Sequence, residues 1–373
     1  KITKHDLKKT DALIIRSGTK VNAELLENTP IKFVGTTTSG IDHVDTTFLR
    51  KANIHFVDAA GSNAESVANY VISAILSIAV EKKINIRGKK IAIIGWGNVA
   101  HSLIPKLKYL GLIVLINDPP KAFSKKGYSA DEKLESLKKI LPQADIVSIH
   151  IPYTTIGKWP TKKLVNDKFL KLMKKDSIFI NTSRGGVCDE DALILAKKNN
   201  EIGMIVTDVW NNEPDYNKEL CNHSIIATPH IAGHSLRAKF QGTIQCARDL
   251  SKNFKINFDK YDYFYYEKNF KYQKKIQINL KKFSSELEAL EYIIRCTYDI
   301  KKDSNIMKNN QNLETLEKCK FFSDLRKNYP IRREFKDIIV KSLYASYDFK
   351  RILDCIGFII PHRGFFPWYY FKK

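Results

Sequence analysis

His230 follows a proline at the exit of a short apolar run, in Ile225-Ile-Ala-Thr228-Pro229-His230-Ile231-Ala232-Gly233-His234. A histidine so placed stands at a cleft, and a carboxylate within reach would hold its tautomer and keep it protonated. The carboxylate on offer is Glu213, in Asn211-Asn-Glu213-Pro214, which leaves the preceding strand pattern. Arg184 is the third candidate. Ser177-Ile-Phe-Ile180 runs into Asn181-Thr182-Ser183-Arg184-Gly185-Gly186, so a guanidinium at a strand end, beside a Gly-Gly turn, offers a planar fork to a carboxylate. Interconversion of an alcohol and a ketone needs such an acid/base for the oxygen-bound proton, with a nicotinamide carrying the hydride.

The element that would hold the nicotinamide lies upstream. Ile91-Ala-Ile-Ile94 leads into Gly95-Trp-Gly97-Asn98-Val99-Ala100, then an apolar helical pattern to Gly111, then Leu112-Ile-Val-Leu-Ile116 and Asp118. This is a β-α-β unit with its glycines at the first strand-to-helix turn. Gly95 permits the tight turn, Gly97 lets a pyrophosphate approach the backbone, and Ala100 allows close helix packing. Asp118 closes the second strand, placed to bond both ribose hydroxyls and repel a 2′-phosphate, which predicts NAD over NADP.

Further strands should carry the chemistry. Ala144-Asp-Ile-Val-Ser-Ile-His150-Ile151-Pro152 reads as one, and Ile202 to Val206, ending in Thr207-Asp208-Val209-Trp210, as another. Helices are expected over Leu134–Leu141, stopped by Pro142, over Lys168–Lys175 and from Asp189, with a polar loop from Pro119 to Ala130. Alternation of strands and helices argues for an α/β, doubly wound parallel sheet with the candidate residues at carboxyl ends. Ahead of it, Asp11–Ile15, Ile31–Val34 and Ile54–Val57 read as strands, the first two closed by the hydroxyl-rich turns Arg16-Ser17-Gly-Thr19 and Gly35-Thr-Thr-Thr38-Ser39-Gly40. Asp42 or Asp45 should cap the next helix, and His43 reads as structural. Ser62 and Glu65 have capping-box spacing and should open a long helix through Val80, sandwiched between domains.

On these motifs the chain resembles the D-isomer-specific 2-hydroxyacid dehydrogenases: the Gly95–Ala100 turn, Asn181–Gly186, Asp208–Pro214 and Thr228–Gly233. Asp11–Asn22, Val34–Asp45 and Asn117-Asp118-Pro-Pro120 look like the branch that oxidises 4-phosphoerythronate to 2-oxo-3-hydroxy-4-phosphobutanoate in pyridoxal phosphate (vitamin B6) synthesis. The resemblance implies that Arg184 binds the substrate carboxylate, that His230 takes the hydroxyl proton, and that Glu213 orients His230. It implies cofactor contacts at Gly95, Gly97, Asn98, Val99, Asp118, Ile151, Thr182, Ser183, Asp208 and Gly233, and substrate contacts at Ser17 and Thr38. Where the family usually has a substrate-contacting tyrosine this chain has His234.

The implied fold is a Rossmann nucleotide domain, residues 69–231, inserted in a discontinuous flavodoxin-like substrate domain, residues 1–68 and 232–257. A C-terminal α+β dimerisation domain, residues 258–373, would follow, making a homodimer. The chain opens at Lys1 without Met, so an N-terminal piece is expected to be absent, and the small domain's sheet to lack its first strand and helix. The return to that domain should run along a helix from Leu236 to about Asn253. Tyr261–Tyr266 marks a shift into a Lys- and aromatic-rich linker, and Glu286–Ile300 should be helical, with Ile338–Ser346 and Ile352–Ile360 as further elements. The basic cluster Arg326-Lys327 and Arg332-Arg333 is expected to reach the phosphate of a substrate held by the partner subunit.

Composition bounds the alternatives. The 373 residues carry a formal charge of +22, yet lysines are scattered along the chain with no basic arm, which argues against a nucleic-acid partner and for attraction of an anionic substrate. Six cysteines form no CxxC pair, no metal site is expected, and a reducing cytoplasm fits. There is no signal-peptide pattern, and Val67–Val80, broken by Asn69, Tyr70, Ser73 and Ser77, reads as too short and too polar to span a membrane. Two rivals stand beside the phosphorylated substrate: another 2-hydroxy acid, or a non-enzymatic NAD-binding regulatory protein. Retention of Arg184, Glu213 and His230 together favours an enzyme.

Overall fold

Short runs rich in Ile and Val, closed by hydroxyl, acidic or amide residues, become parallel strands throughout the computed structural model, which describes residues 2–124, 133–258, 274–310 and 313–361. The first three, β1 (Ala12–Ile15), β2 (Phe33–Thr36) and β3 (His55–Asp58), form a parallel sheet in that order. Of the two acids proposed as caps, Asp45 serves: its carboxylate accepts the Phe48 N–H at 2.9 Å.

Helix α1 (Ala64–Glu81) is the spine of the molecule, buried nearly all round. Its cap is Asn63, so Ser62 lies one residue too early for the expected capping box. Glu65 reaches forward instead, to Asn69 at 3.0 Å, to Ser102 and to Lys106 at 3.0 Å. Begun at Ala64, the helix has the eighteen residues and mean hydropathy of 1.3 that a membrane span also has, longer than the Val67–Val80 reading, but 83% of it is buried against the protein itself.

The second sheet has six parallel strands: β4 (Lys90–Ile94), β5 (Ile113–Asn117), β6 (Ile146–Ile149), β7 (Ile178–Asn181), β8 (Met204–Thr207) and β9 (Ile226–Ala227), in the order β5-β4-β6-β7-β8-β9. The order reverses between β4 and β6, which opens a crevice at their carboxyl ends. Helix α2 (Asn98–Tyr109) follows β4, and α3 (Glu190–Lys198) follows β7. Three local expectations are corrected here. Pro119–Ser124 is a helix, because proline suits a first turn whose N–H groups need no partner. The Leu134–Leu141 helix shrinks to Leu137–Ile140 plus a 3-10 turn, since Leu134 bridges to Ile116. Lys168–Lys175 is helical only over Asp167–Leu170; the chain then tightens into turns, with the Ser177 hydroxyl on the Lys174 carbonyl, to enter β7. The remainder of the expected 119–130 loop falls outside the described residues.

Helix α4 (Leu236–Phe254) returns to the small sheet: Gly242 packs against the Thr37 carbonyl, and the Cys246 thiol donates to the Thr36 carbonyl at 3.2 Å. Its first turn is fastened elsewhere. The Leu236 N–H donates to the Arg332 carbonyl (2.8 Å), the Ser235 hydroxyl to Glu334 (2.7 Å), and the Arg237 guanidinium to Asp337 (2.6 Å).

In the C-terminal segment β10 (Lys274–Asn279) pairs in parallel with β11 (Ile338–Leu343). Helices α5 (Glu286–Thr297), α6 (Ile300–Lys308) and α7 (Thr315–Lys327) lie between them, and α8 (Tyr347–Ile356) follows. Parallel pairing requires such a crossover. Tyr261–Tyr266 lies outside the described residues. Ile276, Ile293, Phe335 and Phe349 join one apolar core with α1, α2 and a face of the six-stranded sheet. Arg332 does not reach outward as expected. It is 7% exposed and its guanidinium binds the Ser66 hydroxyl at 2.6 Å and the Ala232 carbonyl of its own chain.

Candidate active site

The glycine turn is built at the crevice. Gly95 has φ +98°, and a Cβ there would lie 2.7 Å from Ile151 Cγ2 and overlap the His150 carbonyl, so only glycine fits between β4 and β6. Nothing lies within 4 Å of where a Cβ on Gly97 would project. That is the open approach a pyrophosphate needs over the α2 N-terminus, where Asn98 lies against Gly61. Asp118, at the end of β5, accepts the Trp96 N–H (2.8 Å) and the Lys121 N–H (2.9 Å), one on each oxygen. The carboxylate is thereby fixed beside the turn with lone pairs to spare for a ribose diol. These residues fit a dinucleotide.

The chemical residues come from the ends of adjacent strands β7, β8 and β9. Arg184 follows β7; its Nε donates to Asp42 Oδ2 at 2.7 Å and its Nη1 to the Ser183 carbonyl at 2.7 Å. A methyl on Gly40 would overlap this guanidinium, so the β2 turn and the β7 turn meet face to face. Asp42 was read only as a possible helix cap, and nothing in its local sequence signals a partner 142 residues away. Gly185 packs on the backbone of Trp210 and Asn211, which ties the Arg184 turn to the segment bearing Glu213.

His230 and Glu213 are joined. His230 Nδ1 lies 2.8 Å from Glu213 Oε2, and the Trp210 N–H donates to Glu213 Oε1 at 3.0 Å. His230 takes a left-handed conformation, φ +56°, between Pro229 and Ile231. Burial by itself would raise the Glu213 pKa, but the His230 charge and hydrogen bond, the Trp210 N–H and Arg326 together bring it below the ordinary carboxylate value. Asp208 lies beneath, almost fully buried, its carboxylate accepting the Thr228 hydroxyl (2.7 Å) and the Ile231 and Ala232 N–H groups (2.7 and 2.8 Å). All of its described bonds hold the loop that aims His230.

The other expected residues are placed as follows. Thr38 closes its own turn by donating to the Gly40 carbonyl at 2.9 Å, and Ser17 is exposed at the end of β1. Ser183 bonds Asn181, while Thr182 Oγ1 lies 3.4 Å from His150 Nδ1. Burial pushes the His150 pKa down to about 3, so the ring is neutral between Thr182 and Ser148. Val99 and Ile151 are half-buried beside the turn. Gly233 faces Asn63, whose amide nitrogen would stand 2.6 Å from a Cβ there. His234 is neutral: burial first, then Arg326, Lys239, His230 and Arg332, push its pKa down to about 2. Its ring meets Tyr329 edge-on with centroids 6.0 Å apart, and its Nδ1 is buried without a partner among the described residues.

A cavity of about 500 Å³ lies on the far side of the His230 loop, behind Pro229 and Ile231, walled by Tyr298, Asp303, Tyr329 and Arg332. It contains none of Arg184, Glu213 and His230.

Comparison with known proteins adds to this geometry. Residues 76–232 match the family model described as D-isomer specific 2-hydroxyacid dehydrogenase, NAD binding domain, and residues 272–353 match a domain of unknown function, DUF3410. The erythronate-4-phosphate dehydrogenase of Proteus mirabilis (strain HI4320) is 36% identical over 364 residues, 96% of this chain and 91% of the relative. That of Wigglesworthia glossinidia brevipalpis is 37% identical, covering 93% and 88%. Among solved structures, D-lactate dehydrogenase from Aquifex aeolicus, complexed with NAD and lactic acid, aligns with a TM-score of 0.56 and 23% identity over 69% of this chain and 86% of its own. That likeness speaks to the fold.

Proposed function

This chain belongs to the erythronate-4-phosphate dehydrogenase family, a branch of the D-isomer-specific 2-hydroxyacid dehydrogenases, and we propose from that premise that it oxidises 4-phospho-D-erythronate with NAD in pyridoxal phosphate synthesis. The observation that carries the reading is the 2.8 Å bond from His230 to Glu213 at the same strand edge as Arg184 and the Gly95 turn. When bound, the cofactor would supply the acceptor for the hydride that leaves C2 of the substrate. Gly95, Gly97, Asn98 and Asp118 would hold it.

Arg184 binds the substrate carboxylate and draws electron density from the reacting oxygen, steadied by Asp42. His230, its Nδ1–H committed to Glu213, presents Nε2 as the base. The C2 hydroxyl proton passes to Nε2 as the C2–H bond gives up its electron pair and C=O forms. Glu213 stabilises the imidazolium that results. For the phosphate, the electrostatics of the neighbouring cations support an anionic ligand: burial, then Arg16 and Arg332, hold the Lys239 pKa below its ordinary value. Among the described residues no carboxylate pairs with the Lys239 ammonium. Exposed Leu316, Ile331, Tyr344 and Tyr347 supply apolar surface for a homodimer through the C-terminal segment, and six free thiols suit a cytoplasmic enzyme.

The test is absorbance at the reduced-nicotinamide band with NAD and a panel of 2-hydroxy acids. 4-Phosphoerythronate should turn over fastest, and His230→Ala should lose about 10²- to 10⁴-fold in rate. Equal rates with the unphosphorylated acids, or an unaffected variant, would defeat the reading.

A further inference from the structure

Glu213 has a second cation beside it. Arg326, in the last turn of α7, places Nη1 3.7 Å from Glu213 Oε2, the same oxygen that binds His230. Both side chains are largely withdrawn from water, Arg326 at 28% and Glu213 at 19% exposure. Arg326 lies outside the matched nucleotide-binding domain, which ends at residue 232, and inside the C-terminal match.

We propose that Arg326 is a positioning residue for proton transfer: a fixed cation, lent by the C-terminal segment, that holds Glu213 ionised and biases His230 toward the neutral form that accepts a proton. The proposal rests on His230 being the base, as read above. One carboxylate oxygen serves two cationic partners. A guanidinium cannot give up its charge, so Arg326 offsets the Glu213 carboxylate while the imidazole is neutral and opposes a second positive charge on His230. An enzyme that oxidises an alcohol needs its histidine unprotonated at the start.

The other groups around His230 leave this balance to Arg326. Asp208 also feels the His230 charge; burial raises its pKa, while His230 and the Thr228, Ile231 and Ala232 donors lower it, and this carboxylate is the same in the parent and in an Arg326 variant. His234, four residues on, is neutral. Arg332 and Lys239 lie beyond His234 and are positive, acting in the same direction as Arg326 but without contact to Glu213. Among the described residues the ion pair found for Arg326 is the one with Glu213, and its Nε is buried without a hydrogen-bond partner.

The experiment compares the full-length chain with Arg326→Gln and Arg326→Lys, following the His230 ring protons by NMR across pH without substrate, then the pH dependence of kcat/KM. In Arg326→Gln the His230 titration should move up by about half to one pH unit, and the acid limb of the rate profile with it. Arg326→Lys should restore most of both. Should the Gln variant not fold, Arg326→Met, which keeps the apolar stem, offers the same contrast with Lys. Superimposable His230 titrations in the parent and the uncharged variant would overturn the proposal. A shifted titration in a protein that does not oxidise 4-phosphoerythronate would uphold it and remove only the substrate reading.

Discussion

Arg184 Nε and Asp42 Oδ2 lie 2.7 Å apart, joining the turn after β7 to the turn after β2 across 142 residues of chain. The pair fixes the guanidinium proposed to grip a substrate carboxylate, and the bare Cα of Gly40 leaves it room. Gly40→Ala should push the fork out of line and lower kcat/KM about a hundredfold, the usual cost of misplacing a binding group by an ångström. Asp42→Asn should cost less, about tenfold, because the amide oxygen still accepts a hydrogen bond. Steady-state kinetics with unchanged circular dichroism would check both.

Glu213 is held ionised, and its hydrogen bond selects the His230 tautomer with the lone pair on Nε2. Glu213→Gln keeps the shape and loses the charge. The rate of oxidation should fall by about 10²- to 10⁴-fold with KM little changed, since the lost interaction strengthens only as the imidazolium forms. A rise in KM at constant kcat would place Glu213 in substrate binding instead.

Asp118 is anchored by two backbone N–H groups, so its carboxylate stays beside the glycine turn, at the proposed ribose site. Asp118→Asn should raise the NADP-to-NAD ratio of kcat/KM by about tenfold, equivalent to relieving about 1.4 kcal/mol of repulsion toward a 2′-phosphate. The two cofactors compared at fixed substrate give the number.

Glu190 introduces a pH dependence of its own. It is 7% exposed at the start of α3, its Oε1 accepts the Asn211 N–H at 2.7 Å, and burial raises its pKa to about 7 from 4.5. A carboxyl group with a raised folded-state value contributes most below about 4.5, and that contribution is lost as pH rises to about 7. Comparing urea denaturation of the parent and Glu190→Gln, the parent should lose stability relative to the variant across this window, by up to about 3 kcal/mol. A flat difference curve would show that the carboxyl titrates normally.

The strand edges were legible because parallel strands buried on both faces read as short continuous apolar runs, and polar residues stand out where each run stops. His230, Glu213, Arg184, Gly95 and Asp118 were all visible in that way. What stayed hidden depends on contacts between distant segments. Asp42 looks like a helix cap, and Arg326 reads as one more surface cation among many until α7 sets it beside Glu213. Local competition hid other features: Ser62 has the residue type of a cap, but Asn63 takes the position, and Glu65 is drawn off to Lys106 on α2. Pro119-Pro120 reads as a breaker when it is in fact the start of a helical turn.

Helix α4 is pinned at its first turn to Arg332, Glu334 and Asp337 and along its length to Thr36 and Thr37. A rod bolted to two bodies makes a poor pivot. If the small sheet swings over a substrate, the stretch around residues 332–337 must travel with it, so that closure at one end of the molecule tugs on the wall that backs His230. One helix therefore joins the small sheet to residues 332–337, and Arg332 among them lines the cavity behind the His230 loop.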